Sequence, residues 1–259
     1  MLRRYAKGVT VEDNWRAVEI LEKTGVSANC CFIMFDPYTT IREIADTLQF
    51  VKASGAYRIG MRPYNLLNSL LVVKGTPYYD FLKDTELLIP YGEMLFKTRF
   101  LSSDVSVFHE AVTGLDQYIS PVDLRYRALF SNRAHLNNWL SRNRGQSIHA
   151  IKGMNLDAMT KYTKWYDRLP ALVLGLMENA LDMVKDGVAR ESGAAERIRL
   201  SLVLELLREY EEFFGPRLPF ESFTETASAL HQPFLTIDLD GGREVTIPNP
   251  LGGMVHVNA

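Results

Sequence analysis

The sequence predicts an α/β protein in which helices and parallel strands alternate at first and helices dominate later. The first 84 residues alternate between amphipathic helical repeats and β-rich runs, whereas apolar side chains recur at helical spacing after residue 120. Alternation of helix and strand indicates parallel strands joined by right-handed crossovers. The last residues read as a β-hairpin, so the predicted order is parallel α/β, mainly helical, then hairpin.

The first helix is predicted over residues 11–24. Thr10 offers a capping side chain, two acids follow it in the first turn, and Gly25 supplies the stop. The run at residues 26–35, VSANCCFIMF, is β-rich and nearly uncharged, which is typical of a strand covered on both faces. An Asp-Pro pair ends this predicted strand.

A second helix and a second strand follow the same pattern. Thr40 and Glu43 form a capping-box sequence, and one apolar face continues from there to Gly55. Residues 57–67 then read as a strand. Pro63 cannot donate a ladder hydrogen bond, so it predicts an edge or a bulge within that strand.

The second half predicts helices and a closing hairpin. Four helices are expected, over residues 120–144, 154–168, 170–187 and 194–214. The hairpin is predicted from the β-rich runs at 234–239 and 245–247, which flank a Gly-Gly pair.

Composition excludes several classes of partner. The chain has 259 residues, 47% hydrophobic and 23% charged, with a formal net charge of -2. Lys and Arg are spread along it, so no basic face predicts nucleic acid as a partner. No apolar run approaches the roughly 20 residues that cross a bilayer, and no signal peptide is recognised. We therefore expect a cytoplasmic protein that binds neither nucleic acid nor membrane.

The thiols and imidazoles do not form a recognisable metal motif. Cys30 and Cys31 are the only cysteines, and neighbours on a strand point to opposite faces. An iron–sulfur cluster needs three or four spaced thiolates, so these two cannot hold one unaided. The histidines lack the helical spacing of a metal site and are interpreted as surface or satisfied core residues: His109, His135, His149, His231 and His256.

Three motifs occur in order along the first third of the chain. They are LRRYAKGVTVEDN at residues 2–14, FIMFDPYTT at 32–40, and KGTPYYD at 74–80. In this order they resemble the radical S-adenosylmethionine (SAM) enzymes, particularly the group associated with a cobalamin-binding domain. The resemblance implies that residues 1–84 are the C-terminal part of a TIM-like radical SAM barrel and that residues 85–259 form a mainly helical C-terminal region.

The family resemblance also implies a chemistry. Such enzymes cleave SAM reductively at an iron–sulfur cluster of four irons and four sulfurs, and the resulting radical abstracts hydrogen from a substrate. In the cobalamin group the outcome is often methyl transfer to carbon. The loop with three cysteines that holds the cluster has no counterpart here, so cluster and cobalamin are expected only on a missing or partner segment.

By resemblance, the SAM-contacting residues lie at the ends of the two predicted strands: Ile33, Met34, Asp36, Tyr64, Asn65 and Leu66. Cys31 and Phe35 replace two glycines of the family pattern, which puts a standard adenine pocket in doubt. Other interpretations stay open. The first segment also reads as a plain buried strand, Asp36 as a turn former, and Tyr64 with Asn65 as turn hydrogen-bonding groups.

Two functions of different class follow. The first is the C-terminal portion of a cobalamin-type radical SAM enzyme, acting on a small-molecule or peptide substrate once a cluster-bearing half is supplied. The second is a non-catalytic accessory or interaction subunit derived from such an enzyme. An unpaired strand edge is a template for association, so a cluster-bearing partner chain or a homo-oligomer is expected in either case.

Overall fold

Helices dominate the computed structural model, which describes Tyr5 and residues 7–26, 28–59, 61–119, 148–151, 156–214, 234–239 and 243–248. The helices are α1 (Val11–Thr24), α2 (Ile41–Ser54), α3 (Pro77–Leu82), α4 (Ser103–Thr113), α5 (Leu156–Lys185) and α6 (Ala194–Phe214). The strands are β1 (Val72–Val73), β2 (Leu88–Pro90), β3 (Leu95–Thr98), β4 (Ile148–Ile151), β5 (Phe234–Leu239) and β6 (Arg243–Pro248). Short 3₁₀ helices occupy Ala56–Arg58, Pro63–Leu67 and Val188–Arg190.

The chain divides into two compact units. The first contains residues 1–119 and 169–207, and the second contains residues 120–168 and 208–259. The candidate SAM-contacting residues all belong to the first unit. The sequence-based division at residue 84 stays a prediction.

Helices α1 and α2 confirm the helix starts and stops predicted from the sequence. Each begins with a capping box in which a threonine accepts from a backbone N–H and an acid accepts from the threonine's own N–H: Thr10 with Asp13, and Thr40 with Glu43. Each ends at a glycine in the left-handed region, Gly25 at φ 65° and Gly55 at φ 70°. A side chain at either glycine would be strained, which is why glycine stops the helix there.

The two strands predicted at residues 26–35 and 57–67 are wrong. The described residues of the first segment form no ladder, and much of the second is 3₁₀ helix, including Pro63–Leu67. Phe35, the last residue of the first segment, does form an isolated parallel bridge, but with Ser69, two residues beyond the second predicted strand. An earlier contact is the hydrogen bond from the Ala28 N–H to the Ile59 carbonyl, 2.7 Å long.

Unequal length explains the missing ladder. Between those two contacts the first segment advances seven residues and the second advances ten. A ladder needs equal advance on both strands, so the extra residues must leave the extended path. They do so in the 3₁₀ helix that Pro63 opens, since proline suits a first helical position and cannot serve a ladder.

A small antiparallel sheet lies in the first unit, in the order β1-β3-β2. Val72 pairs with Phe96, and Phe96 pairs on its other side with Pro90. The sequence analysis did not predict this sheet. The described residues hold no parallel sheet, so the architecture is mixed and mostly helical, with no TIM-like barrel in this part of the chain.

In the second half the structure confirms one predicted helix and the hairpin, and it corrects two other predicted helices. Helix α6 matches the expected helix at 194–214, and α5 replaces the two expected helices before it with one that continues through Pro170. The hairpin of β5 and β6 is antiparallel, and β4 adds a third strand to it. The helix expected at 120–144 lies outside the described residues.

The core of the first unit combines α2, α4, α5 and α6. Lys52 on α2 forms an ion pair with Glu178 on α5 at 2.9 Å, and Asn179 of α5 donates to Glu205 of α6. A neighbouring cluster joins Val18, Ala56 and Ile59. On α6 the buried side chains include Ile198, Leu202 and Leu206.

We expect Leu202→Ala to lower the free energy of unfolding by about 2–5 kcal/mol, because Leu202 is fully buried and its truncation leaves a cavity. Leu204 is on the same helix but 58% exposed, so Leu204→Ala is the matched control and should change stability by less than about 0.5 kcal/mol. Urea unfolding of both variants measures the difference. Equal losses would show that α6 does not bury the face assigned here.

Candidate functional site

The candidate site is formed where residues 28–36 lie beside residues 59–70, which we call the paired-segment site. Besides the bond at Ala28, two backbone hydrogen bonds join the segments. The Met34 N–H donates to the Asn68 carbonyl at 3.0 Å, and the Leu70 N–H donates to the Phe35 carbonyl at 2.9 Å. The structure therefore places the two sets of predicted contact residues on adjoining segments.

The first set of predicted contact residues lies at the end of residues 28–36. Met34 is buried, Ile33 is half-buried, and Asp36 has no exposed surface. The Asp36 carboxylate accepts a hydrogen bond from the Tyr5 hydroxyl and one from the Tyr38 N–H, both 2.7 Å long. The second of these bonds is the local one that a turn-forming aspartate makes.

The second set lies on the 3₁₀ helix. Leu66 is buried, and Tyr64 is half-buried with its hydroxyl accepting from the Arg62 guanidinium at 2.8 Å. Because the backbone here is helical, the strand-end geometry expected for Tyr64, Asn65 and Leu66 is wrong. Their position beside residues 28–36 nevertheless brings them close to the first set.

Asn65 is a fully buried polar residue that joins the segments. Its Nδ2 donates to the Cys30 carbonyl at 2.7 Å and to the Asn29 Oδ1 at 2.8 Å. The carbonyl can only accept, so the amide nitrogen must face it and the orientation of the amide is determined. The Asn65 Oδ1 is buried and has no hydrogen-bond partner among the described residues.

Sequence reasoning missed a second polar contact at the site. The Ser69 hydroxyl and the His109 Nε2 are 2.7 Å apart, and the imidazole lies against the rings of Phe35 and Phe100, each at 4.8 Å between centroids. Burial lowers the pKa of His109 to about 4, with a smaller contribution from the positive charge of Lys97. No local signal predicts this pair, because Ser69 and His109 are far apart in sequence.

The two cysteines occupy different environments. Cys31 is exposed, whereas Cys30 is half-buried against the cluster of Val18, Ala56 and Ile59. Burial raises the pKa of the Cys30 thiol, and the neighbouring Cys31 raises it further. A thiolate is the form that binds iron, so these residues do not fit the ligand set of an iron–sulfur cluster. Among the described residues, no group of three or more His, Cys, Asp or Glu side chains is placed to hold a metal ion.

No protein-family model, curated protein or solved structure matches the chain. Within the part of the chain that the structure describes, no helix is both long enough and apolar enough to cross a bilayer.

The depressed pKa of His109 predicts a pH-dependent stability. The unfolded chain takes up a proton on this residue as the pH falls from about 6.5 to 4, whereas the folded chain resists it. Folding should therefore lose about 3 kcal/mol over that interval. His109→Gln keeps a hydrogen-bonding group but does not titrate. Urea midpoints measured across the interval should fall less for this variant, and parallel curves would contradict the assignment.

Proposed function

We propose that the chain is the C-terminal portion of a cobalamin-type radical SAM enzyme, and that the paired-segment site contributes to binding the adenosine part of SAM. Methyl transfer to carbon is the reaction that this resemblance favours. A cluster-bearing half, supplied by residues other than these, completes the enzyme. By the resemblance, residues 1–84 would join a TIM-like barrel only when that half is present, and cobalamin binds elsewhere on the assembly.

The observation that carries the proposal is the parallel contact between the two segments of the paired-segment site. The first segment contains the start of the FIMFDPYTT motif, and the second lies just before the KGTPYYD motif. Phe35 lies opposite Ser69, with backbone bonds on either side of that pair. A ligand bound beside this contact would meet Ile33 and Tyr64, both of which keep exposed surface.

The residues at hand suit the adenosine part of SAM better than its methionine end. Ile33 offers an apolar surface for a purine ring, and buried Asn65 offers an acceptor without a partner in the described residues. When bound, the iron–sulfur cluster supplies the electron that cleaves SAM. The part of this chain is to hold and orient the nucleoside.

The absence of a β-ladder between the two segments is consistent with a missing cluster-bearing half of the enzyme. A pair of strands is marginal in water, and three or more strands, or a packed helix, are needed for independent stability. A neighbouring strand supplied by a cluster-bearing segment would order residues 28–35 from their other edge.

The alternative is a non-catalytic accessory or interaction subunit derived from such an enzyme. The cysteines favour it, because burial disfavours the thiolate of Cys30 and its neighbour Cys31 is directed elsewhere. The two functions differ in one observable, since an accessory subunit needs no nucleoside site. Measured SAM binding therefore separates them.

We expect SAM to bind the isolated chain weakly, with a Kd on the order of 1 mM, because the methionine end finds no chelating cluster. Ile33→Asp should raise that Kd about tenfold or more, since a carboxylate beside the purine replaces an apolar contact with a charge that must be desolvated. Chemical-shift titration of the labelled chain measures both constants.

Ile20→Asp is the control for this titration. Ile20 is 54% exposed on α1, so the same chemical change is made away from the paired segments. It should leave the Kd unchanged. Equal weakening by both variants would point to a general effect of charge, and tight binding that neither variant alters would place SAM elsewhere.

We also expect that anaerobic reconstitution with iron and sulfide yields no cluster of four irons on the isolated chain. Two adjacent thiols, one half-buried, cannot replace three spaced thiolates. Iron and sulfide analysis with visible absorbance measures the product. A stoichiometry of about four irons per monomer would overturn the assignment of the cluster to another segment.

A further inference from the structure

The antiparallel sheet of the first unit has one covered face and one exposed face. Tyr79 of α3 packs against Phe96 with 5.2 Å between the ring centroids, and Val72, which pairs with Phe96, is buried, so α3 lies against that face. The alternate residues of the three strands form the opposite face, which we call the outer face. Its side chains are Val73, Leu87, Ile89, Tyr91, Leu95, Lys97 and Arg99.

The register places these side chains on one face, even beyond the ends of the strands. The Tyr91 N–H donates to the Leu95 carbonyl at 2.9 Å, which continues the pairing past the end of β2. The Arg99 N–H donates to the Leu87 carbonyl at 2.8 Å, which continues it past the end of β3. The Lys97 Nζ lies 4.1 Å from the centroid of the Tyr91 ring, so these two side chains share the outer face.

The sequence of the strands is typical of a sheet that is covered on both faces. An antiparallel sheet with one solvated face alternates apolar and polar residues. Here the strands lie in continuous apolar runs at residues 70–73 (LLVV), 87–90 (LLIP) and 94–96 (MLF). Val73 is nevertheless 42% exposed and Tyr91 is 58% exposed. The outer face is therefore an exposed apolar surface of the kind that binding partners cover.

We propose that the outer face binds an amphipathic helix of a partner protein, and that this helix carries two acidic residues four positions apart within its apolar stripe. The charges determine this choice of occupant. Lys97 and Arg99 are exposed on the central strand, and none of the seven outer-face residues is acidic. The outer face shares no residue with the paired-segment site, so this function is independent of SAM binding.

The spacing of the two cations matches a helix. Residues two apart on a strand are separated by about 6.8 Å, and residues four apart on a helix by about 6 Å. Two acids at the helical spacing can therefore pair with Lys97 and Arg99 at once. Apolar neighbours on the same stripe then contact the edge strands, as in other helix-binding surfaces.

The central position of the cations disfavours two other occupants. A second copy of this chain, packed face to face, would bring Lys97 and Arg99 against the same two cations. A membrane-binding face buries its apolar side chains while its basic ones stay at the level of the headgroups. Here β1 and β2 flank β3 on both sides, so insertion of their apolar side chains would draw the cations toward the acyl chains.

The test uses the whole chain and two matched helical peptides of about 20 residues with a leucine stripe. One peptide carries two glutamates four positions apart within the stripe, and the other has lysines at the same positions. We expect the glutamate peptide to bind at least about tenfold more tightly, because it alone can pair with Lys97 and Arg99. Chemical-shift titration of the labelled chain gives both Kd values, and the amide signals of β1, β2 and β3 should move most.

Charge reversal on the sheet attributes the preference to the two cations. In the double variant of Lys97→Glu with Arg99→Glu, the lysine peptide should bind more tightly than the glutamate peptide. Both residues are exposed, so we expect this variant to fold. Ile20→Asp, on α1, is the control and should leave both Kd values of the unaltered chain unchanged.

Several results would overturn the inference. They are failure of both peptides to bind, equal binding of the two, and a preference for glutamate that survives charge reversal. Sedimentation of the chain as a dimer that Ile89→Asp dissociates would show that a second copy covers the outer face. Binding to phosphatidylserine vesicles that the charge-reversed variant loses would show that a membrane covers it.

Discussion

The paired-segment site depends on the Asn65 side chain, which makes a hydrogen bond that a backbone N–H would make in a sheet. In a complete sheet the Cys30 carbonyl would accept from a strand N–H, but here the Asn65 amide donates to it at 2.7 Å. The 3₁₀ helix carrying Asn65 is therefore bound to residues 28–36 at a point between the contacts at Ala28 and Phe35. Without that bond the Cys30 carbonyl would need another donor, and the two segments would be joined only at their ends.

The position of this contact determines what surrounds it. Because Phe35 lies opposite Ser69, the Phe35 ring contacts the His109 imidazole, and the Ser69 hydroxyl lies within hydrogen-bonding distance of that imidazole. The same contact positions Asp36, at the end of residues 28–36. Asp36 accepts a hydrogen bond from the Tyr38 N–H, and the chain turns there toward α2. Polar groups that are buried in this way must each find a partner, so they specify one arrangement more narrowly than apolar packing does.

Local signals were sufficient for the helices and insufficient for the segments between them. The Thr40 capping box and the Gly55 stop are short-range chemistry, and α2 begins and ends where they indicate. The β-rich composition of residues 26–35 predicts a strand, which is wrong, because composition says nothing about the number of residues by which the partner segment advances. The strands β1 and β2 have two and three residues, too short for a period-2 pattern to be recognised.

For the candidate residues too, local sequence signals were informative and long-range contacts were not predictable. Sequence identified Asp36 and Asn65, and both are fully buried polar groups in the structure, an arrangement that requires specific partners. It could not identify the partners, because the Asn65 contacts and the Ser69–His109 pair join residues some 35–40 positions apart. Long-range pairing is decided by the packing of α4 and the 3₁₀ helix.

The composition of residues 26–35 does not match their exposure to solvent. This mismatch is the strongest argument for a missing neighbouring strand. Residues 26–35 carry the nearly uncharged composition of a strand covered on both faces, yet Val26 is 54% exposed and Cys31 is exposed as well. Parallel strands are rarely stable at the surface, because both faces of their sheets are normally covered. A segment with interior composition and a contact on one side is suited to a second contact.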